Sequence, residues 1–229
     1  MAFDGIVVAD LVHELRKELL NGRIARIVQP EPDELLITVK TQEGQKRLLI
    51  CADASLPLVY LTDTNKPAPM SAPNFCMLLR KHIGSGRITD ISQPKLERII
   101  RFTIEHLNEL GDLCRKLLIV EIMGKHSNII FCTEDGKIID SIKHVSAQMS
   151  SVREVLPGRE YFIPDTMHKA DPLTVSRADF SALLTGKPAP VSKALYTSFT
   201  GISPVTAEEI CFLAGLDSSV PAKEYSEDI

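Results

Sequence analysis

The sequence contains no tryptophan, and aromatic residues make up only 5% of its 229 positions. Leucine, isoleucine and valine must therefore fill most of the hydrophobic core. The five cysteines are scattered, and no two of them stand in the CxxC spacing that zinc sites and many redox sites use. We therefore predict neither a disulfide framework nor a metal site, and no cofactor.

Long apolar runs are also missing. None approaches the roughly 20 residues that cross a bilayer as a helix. Residues 1–10 contain acids and no basic segment of the kind that opens a signal peptide. We therefore expect a cytoplasmic protein that does not bind membranes.

The common catalytic and nucleotide-binding patterns are absent as well. The sequence has no GxxxxGK[ST] loop, no GxGxxG after an apolar strand and no HExxH pair. Paired carboxylates such as Glu208-Glu209 lie on a predicted exposed helix, where they are typical of a solvated face. The chain is therefore predicted not to be an enzyme.

The formal net charge of −4 is unevenly distributed along the chain. Residues 1–170 carry equal numbers of acidic and basic side chains, so the whole excess of acids lies from Asp171 onward. Residues 76–101, in contrast, contain six basic residues and only two acidic ones. This local basic excess is compatible with a nucleic-acid surface or with a solvated face, and the overall acidity argues against a non-specific DNA binder.

Hydrophobic periodicity predicts an α+β domain over residues 1–170. Leucines recurring every four residues predict a helix over 9–20, and a second helix is predicted over 75–83. Short apolar runs between turn residues predict a mostly antiparallel sheet or sandwich. The predicted strands cover 23–29, 35–39, 47–51, 58–61, 87–92, 98–104, 117–120, 129–132 and 137–143.

A small helical domain is predicted over residues 171–229, after a proline-containing linker at 164–172. Its predicted helices cover 176–184, 190–199 and 203–213. Ser203 and Pro204 provide an N-cap followed by proline at the first helical position. This helix-hairpin-helix pattern presents backbone N–H groups that suit phosphate, whereas the excess of acids favours protein contact or plain packing.

Polar residues are concentrated where the apolar run at 117–120 ends. Glu121 comes first, and Gly124 is followed by Lys125, His126, Ser127 and Asn128. An ordinary hairpin turn needs only Gly, Asn or Asp, so both a structural turn and a binding site remain open.

The predicted helix at 75–83 ends in Arg80, Lys81 and His82. Cations are favourable at a helix C-terminus, where they interact with the helix dipole. The same three side chains would also suit a phosphate. This stretch alone does not decide between the two interpretations.

Three stretches together resemble a known family. They are Phe3-Asp-Gly5, then Phe75-Cys-Met-Leu-Leu-Arg-Lys-His82, then Glu121-Ile-Met-Gly-Lys-His-Ser-Asn128. In this order they resemble the N-terminal NFACT domain of the RqcH/NEMF family, also called fibronectin-binding protein A. The resemblance covers essentially the whole chain. It implies a sheet domain similar to the N-terminal domain of MutM-type DNA glycosylases, followed by a helix-hairpin-helix region.

The resemblance also implies a function in ribosome-associated quality control. Family members bind a large ribosomal subunit that carries a stalled peptidyl-tRNA. They recruit charged tRNA, chiefly alanyl-tRNA in bacteria, and extend the nascent chain without a template. The family continues into a coiled coil and an RNA-binding domain, so we expect this chain to be an N-terminal fragment.

Two marker groups of the family carry the implied tRNA contacts. The acid-Arg pair falls on Glu97 and Arg98, and the second group falls on Glu121, Ile122 and Met123. The family's acid is usually Asp, so Glu97 is a departure that affects its own role more than that of Arg98.

In this interpretation Arg98 donates to phosphate, Glu121 accepts from a base or ribose edge, and Met123 packs on a base. The basic residues Arg80, Lys81, His82 and Lys125, together with His126 and Asn128, complete the predicted tRNA site. The structural alternative is that Glu121 pairs with Arg98 inside the domain while Ile122 and Met123 are core residues.

Two other functions are considered. A glycosylase of the MutM type uses an N-terminal proline amine, and this chain begins Met1-Ala2-Phe3. Glycosylase activity is therefore not expected. A surface adhesin that binds fibronectin remains the alternative.

Overall fold

The computed structural model describes residues 3–165 and 167–225. The helices are α1 (Gly5–Leu19), α2 (Asn74–Ile83), α3 (Arg177–Thr185), α4 (Val191–Ser198) and α5 (Pro204–Leu213). The strands are β1 (Arg23–Val28), β2 (Glu34–Thr41), β3 (Gly44–Cys51), β4 (Leu58–Leu61), β5 (Arg87–Ser92), β6 (Ile99–Leu107), β7 (Leu113–Glu121), β8 (Asn128–Thr133) and β9 (Ile138–Ser141). Residues 1, 2, 166 and 226–229 of the predicted domain ranges lie outside the described residues.

The nine described strands are hydrogen bonded into one sheet in the order β4-β3-β2-β1-β5-β6-β7-β8-β9. Every neighbouring pair is antiparallel, and β6 and β7 pair along their full lengths, from Ile99 opposite Glu121 to Leu107 opposite Leu113. The predicted α+β class with a mostly antiparallel sheet is confirmed. The helix-hairpin-helix assignment of the C-terminal helices stays a prediction.

By their mutual contacts the described residues fall into two compact units. The sheet unit comprises Leu11–Ser92 and Ile99–Pro164. The helical unit combines the described residues of Met1–Asp10, Gln93–Arg98 and Asp165–Ile229. The helical unit therefore includes two segments from early in the chain. The predicted domain boundary between residues 170 and 171 stays a prediction.

Helix α2 has one buried face because its apolar residues recur at helical spacing. Phe75, Cys76, Leu79 and Ile83 are all buried, which places them along one stripe of the helix. The His82 ring lies 5.9 Å from the Phe131 ring of β8. The stripe therefore positions the basic end of α2 against the sheet.

The helical unit has its own core. Leu184, Val191, Leu195 and Phe199 are buried there together with four small residues. Ser203 caps α5 as predicted, since its side chain accepts a hydrogen bond from the Thr206 N–H at 3.2 Å, and Pro204 occupies the first turn. The sequence therefore located the start of this helix correctly.

Helix α1 begins at Gly5, four residues before the predicted start at residue 9. The cause is Asp4, whose Oδ1 accepts the Val7 N–H at 3.0 Å and so caps the helix. The leucine periodicity gave no sign of this first turn because its residues Gly5, Ile6 and Val7 are not leucines.

Candidate functional site

The turn between β7 and β8 is held in place by its own polar side chains. Ser127 Oγ accepts the Met123 N–H at 2.8 Å, and Gly124 has a φ of +57° that favours glycine. Asn128 is 2% exposed, donates to the Lys143 carbonyl at 2.9 Å and accepts the Lys143 N–H at 3.1 Å. Asn128 therefore fixes the turn to the chain that follows β9.

Glu121 lies at the centre of a buried polar cluster. It is 1% exposed, and its Oε2 accepts from an Arg153 guanidinium nitrogen at 2.5 Å. Its Oε1 accepts from the Tyr161 hydroxyl at 2.9 Å. Arg153 also donates to the Phe162 carbonyl at 2.6 Å. We call Glu121, Arg153 and Tyr161 the buried triad.

The environment of the buried triad shifts the pKa values of Arg153 and Tyr161. Burial raises the pKa of Tyr161, and the adjacent Glu121 carboxylate raises it further. Burial by itself lowers the pKa of Arg153, but the hydrogen bond and the charge of Glu121 raise it on balance. Both shifts favour a charged Arg153 and a neutral Tyr161, and both side chains are hydrogen bonded to Glu121.

Sequence reasoning identified Glu121 but not its partners. The structural alternative named Arg98, whereas the ion-pair partner that the structure gives is Arg153. Arg153 and Tyr161 lie 32 and 40 residues further along the chain. Both lie within residues 150–161, for which the sequence predicts no contact with Glu121.

The apolar part of the marker run is also mostly buried. Ile122 is 2% exposed, and Met123 packs, half-buried, against a cluster that includes Ile99 and Ile119. Lys125 and His126 are the exposed side chains of this turn. In the sheet unit, the surface that the turn offers to a ligand is therefore Lys125 and His126.

The three basic residues at the end of α2 do not act as one cluster. Arg80 Nε donates to the Ile27 carbonyl at 2.8 Å, and Lys81 pairs with Glu109 at 3.1 Å. Burial lowers the pKa of His82, and the nearby charges of Lys116 and Lys81 lower it further. Arg80, by its hydrogen bond, and His82, by its ring contact with Phe131, thus both contact the sheet.

Glu97 and Arg98 lie at the end of a loop in the helical unit. The backbone of this loop, at Leu96, lies very close to the backbone at Gly5 and at Gly201. A Cβ on Gly5 would lie 2.1 Å from the Leu96 carbonyl oxygen, and a Cβ on Gly201 would lie 2.3 Å from the same oxygen. The Gly5 N–H donates to the Gly201 carbonyl at 2.9 Å. Gln93 Nε2 donates to the carbonyls of Gly5 and Glu97, each at 2.8 Å. We call Gly5, Gly201 and the loop of residues 93–97 together the glycine clamp.

Asp4 joins the glycine clamp to the start of α5. Its carboxylate accepts hydrogen bonds from the Thr206 hydroxyl and from the Val7 N–H. Burial alone would raise the pKa of Asp4, but these hydrogen bonds, with a further one from Ser203, lower it on balance. Asp4 and Gly5 thus bond to Thr206 and Gly201, far away in sequence, inside one unit.

The two ends of the acid-Arg pair differ in environment. Glu97 is half-buried, and burial raises its pKa against the opposing influence of Lys95 and Arg98. Arg98 is exposed and has no carboxylate within 4.0 Å among residues 3–165 and 167–225. Lys95, also exposed, lies three positions earlier on the same loop. The clamped loop therefore presents two cations to solvent.

The predicted site residues are accordingly found in three places. The end of β7, the turn after it and the first residue of β8 contain Glu121, Ile122, Met123, Lys125, His126 and Asn128. The end of α2 carries Arg80, Lys81 and His82. The loop of the helical unit carries Glu97 and Arg98.

The fold matches solved N-terminal domains that are named as fibronectin-binding proteins. The N-terminal domain of fibronectin-binding protein PavA from Streptococcus pneumoniae superimposes with a TM-score of 0.85 at 34% identity, over 93% of this chain and 80% of that one. The N-terminal part of the fibronectin/fibrinogen-binding protein from Streptococcus suis gives 0.86 at 34% identity, over 100% of this chain and 85% of that one.

The family model for the NFACT N-terminal and middle domains matches residues 4–229, so the chain belongs to the NFACT family. It is 39% identical over 221 residues to the Rqc2 homolog RqcH of Bacillus subtilis (strain 168), covering 96% of this chain and 39% of that protein. It is 28% identical over 232 residues to the archaeal Rqc2 homolog aRqcH of Methanocaldococcus jannaschii, with 96% and 32% covered. The chain thus spans less than half of these relatives. No helix among the described residues is long and apolar enough to cross a membrane.

Proposed function

We propose that this chain is the tRNA- and large-subunit-binding part of a ribosome-associated quality control factor. Such a factor recruits alanyl-tRNA to a large ribosomal subunit with a stalled peptidyl-tRNA, for template-independent tailing of the stalled chain. Membership of the NFACT family and the similarity to RqcH proteins support this proposal.

The observation that carries the proposal is the exposed Arg98 on the clamped loop. A guanidinium without an acidic partner keeps its five N–H donors for a ligand, and two of them match the oxygens of one phosphate. The glycine clamp fixes the backbone that carries Arg98, which lowers the entropy lost when the side chain binds. Lys95 adds a second positive charge to the same loop.

Glu121 has a positioning role in this proposal. Its two carboxylate oxygens are bonded to Arg153 and Tyr161, so it holds the end of β7 and the start of the turn. The turn displays Lys125 and His126 to an RNA strand, while the Glu-Ile part of the marker run stays buried. The chain contributes binding and no catalytic group, and its cytoplasmic location remains an expectation.

Binding of labelled alanyl-tRNA across a salt series tests the proposal. Arg98→Ala should weaken binding by about tenfold or more, because charge-assisted hydrogen bonds contribute about 1.5–3 kcal/mol. The matched control is Arg177→Ala, since Arg177 is also exposed and belongs to the same unit. Equal affinity of the parent and a folded Arg98→Ala variant would contradict the argument. Co-sedimentation with large subunits that carry peptidyl-tRNA tests the ribosomal part separately.

The names of the two solved neighbours favour fibronectin binding as the alternative function. Immobilised fibronectin should then retain the parent chain at physiological salt. Retention that survives Arg98→Ala, together with absent tRNA binding, would favour the adhesin over the quality control factor.

A further inference from the structure

Three basic side chains stand next to one another on three neighbouring strands of the sheet unit. Arg23 of β1 lies directly opposite Lys40 of β2 on one side and Arg87 of β5 on the other. Residues directly opposite in an antiparallel pair project from the same face, with Cα atoms about 4.5–5.5 Å apart. All three are exposed. They come from positions far apart in the sequence, so no run of charged residues in the sequence indicates that they lie together.

A fourth cation joins them because β1 is irregular. Arg23 and Arg26 are three positions apart, and in a regular strand such residues point to opposite faces. The register shifts between Ile24 and Arg26, so that Arg26 lies opposite Thr38 while Arg23 lies opposite Lys40. Thr38 and Lys40 share a face of β2, and the shift therefore turns Arg26 to the side of Arg23. Arg26 is exposed as well. We call Arg23, Arg26, Lys40 and Arg87 the basic patch.

The basic patch lacks internal neutralisation. Like charges directly opposite on neighbouring strands are destabilising. Among the described residues, no carboxylate lies within 4.0 Å of any of the four cations. Glu105 lies opposite Arg87, but its carboxylate pairs with Arg115 at 3.5 Å. Within residues 3–165 and 167–225, the Arg23 side chain donates to a backbone carbonyl, that of Ser85, at 3.3 Å and to no carboxylate.

We propose that the basic patch binds the phosphate backbone of RNA. Three of its four members are arginines, whose planar guanidinium groups bind phosphate with two parallel hydrogen bonds. Strand spacing spreads the charges over roughly 10 Å, which suits consecutive phosphates better than a single anion. The inference rests on the proposed function, which supplies the RNA, and it assigns a backbone contact to the sheet unit in addition to the loop that carries Arg98.

A charge-matched pair of variants tests the patch. In the first, Arg23, Arg26, Lys40 and Arg87 are all changed to glutamine. In the control, four other exposed cations are changed to glutamine, so that both variants lose four positive charges. The control positions are Lys17, Arg177, Lys193 and Lys223. Binding of tRNA is measured at several salt concentrations, with circular dichroism to confirm folding.

The patch variant should bind tRNA at least tenfold more weakly than the control. The slope of log K against log salt should fall by about three, because each phosphate contact contributes about 0.7–0.9 to it. The patch variant should also unfold at a higher temperature than the parent, because the substitutions remove the repulsion between cations that face each other on neighbouring strands. Equal affinities and equal slopes for the patch and control variants would overturn the proposal.

The remaining outcomes separate the two proposals. If Arg98→Ala weakens tRNA binding and the patch variant does not, the patch proposal is wrong and the proposed function stands. If the parent chain binds no tRNA at low salt, both are wrong for this chain. If poly-glutamate competes with tRNA at equal charge concentration, the patch suits an acidic protein, and the assignment to RNA is wrong.

Discussion

Replacing Glu121 with glutamine should destabilise the sheet unit severely. The substitution removes the charge that faces Arg153, whose side chain is only 12% exposed. The guanidinium would keep its bond to the Phe162 carbonyl but lose its counter-charge. Removing one partner of a buried ion pair costs about 3–5 kcal/mol, because the other charge stays buried without compensation. The Tyr161 hydroxyl would keep an acceptor in the amide oxygen of glutamine, so we expect the lower part of this range.

Urea unfolding followed by circular dichroism measures this loss. The matched control is Glu105→Gln, which removes a carboxylate from the same sheet. Glu105 pairs with Arg115, whose side chain is 51% exposed, at 3.5 Å. An exposed pair of this kind contributes about 0–1 kcal/mol. If both variants lost less than 1 kcal/mol, the buried triad would not be the stabilising unit described above. A tRNA-binding defect of Glu121→Gln would then have to be a direct contact.

A double variant tests whether Glu121 and Arg153 stabilise the fold through their mutual interaction. Glu121→Leu combined with Arg153→Met removes both charges and fills the space with apolar atoms. Such replacements are often neutral or stabilising. The double variant should therefore be more stable than Glu121→Leu alone. If the double variant lost as much stability as the sum of the losses of Glu121→Leu and Arg153→Met measured singly, Glu121 and Arg153 would not interact in the folded chain.

Two further predictions concern the helical unit. Asp4→Asn should lower the free energy of unfolding at neutral pH. Hydrogen bonds outweigh burial and lower the pKa of the Asp4 carboxyl below its ordinary value of 3.8. The stability that the Asp4 carboxylate contributes is therefore complete above pH 3.8 and is lost as pH falls through the lowered pKa. Parent and variant should therefore converge in acid, and a constant gap down to pH 2 in urea unfolding would contradict this. Gly201→Ala should destabilise more than Gly111→Ala, because both have positive φ (+77° and +87°) but only a Cβ at Gly201 would meet other atoms. Equal losses of thermal stability would show that the glycine clamp relaxes without cost.

Local sequence patterns were enough to predict much of the sheet. Turn residues and alternating apolar residues located β4 (Leu58–Leu61) and β5 (Arg87–Ser92) at their observed bounds. The cap at Ser203 was equally readable, because the N-cap and the proline that follows it are adjacent in sequence. In each case the determining interactions are short in range, so the sequence window contains them.

The chemistry of the site depends on interactions that a sequence window does not contain. Glu121 was recognised, but its burial against Arg153 and Tyr161 follows from the return of a distant loop. The side on which Arg26 points depends on one register shift in β1. The resemblance to a family named marker positions, but it did not distinguish a side chain that would contact a ligand from one that supports the turn, and their roles in binding stay predictions.

The glycine clamp also affects when the helical unit can form during synthesis. Gly5 bonds to Gly201, so the first helical turn has no partner until nearly two hundred further residues have been made. At about 5–20 residues per second, that is a wait of roughly 10–40 s. The sheet unit ends at Pro164 and is complete earlier. A chain released early, between residues 165 and 200, would therefore carry a finished sheet and an unmatched N-terminal turn. Removing the residues from 201 onward therefore takes away a backbone partner of residue 5, at the opposite end of the described chain.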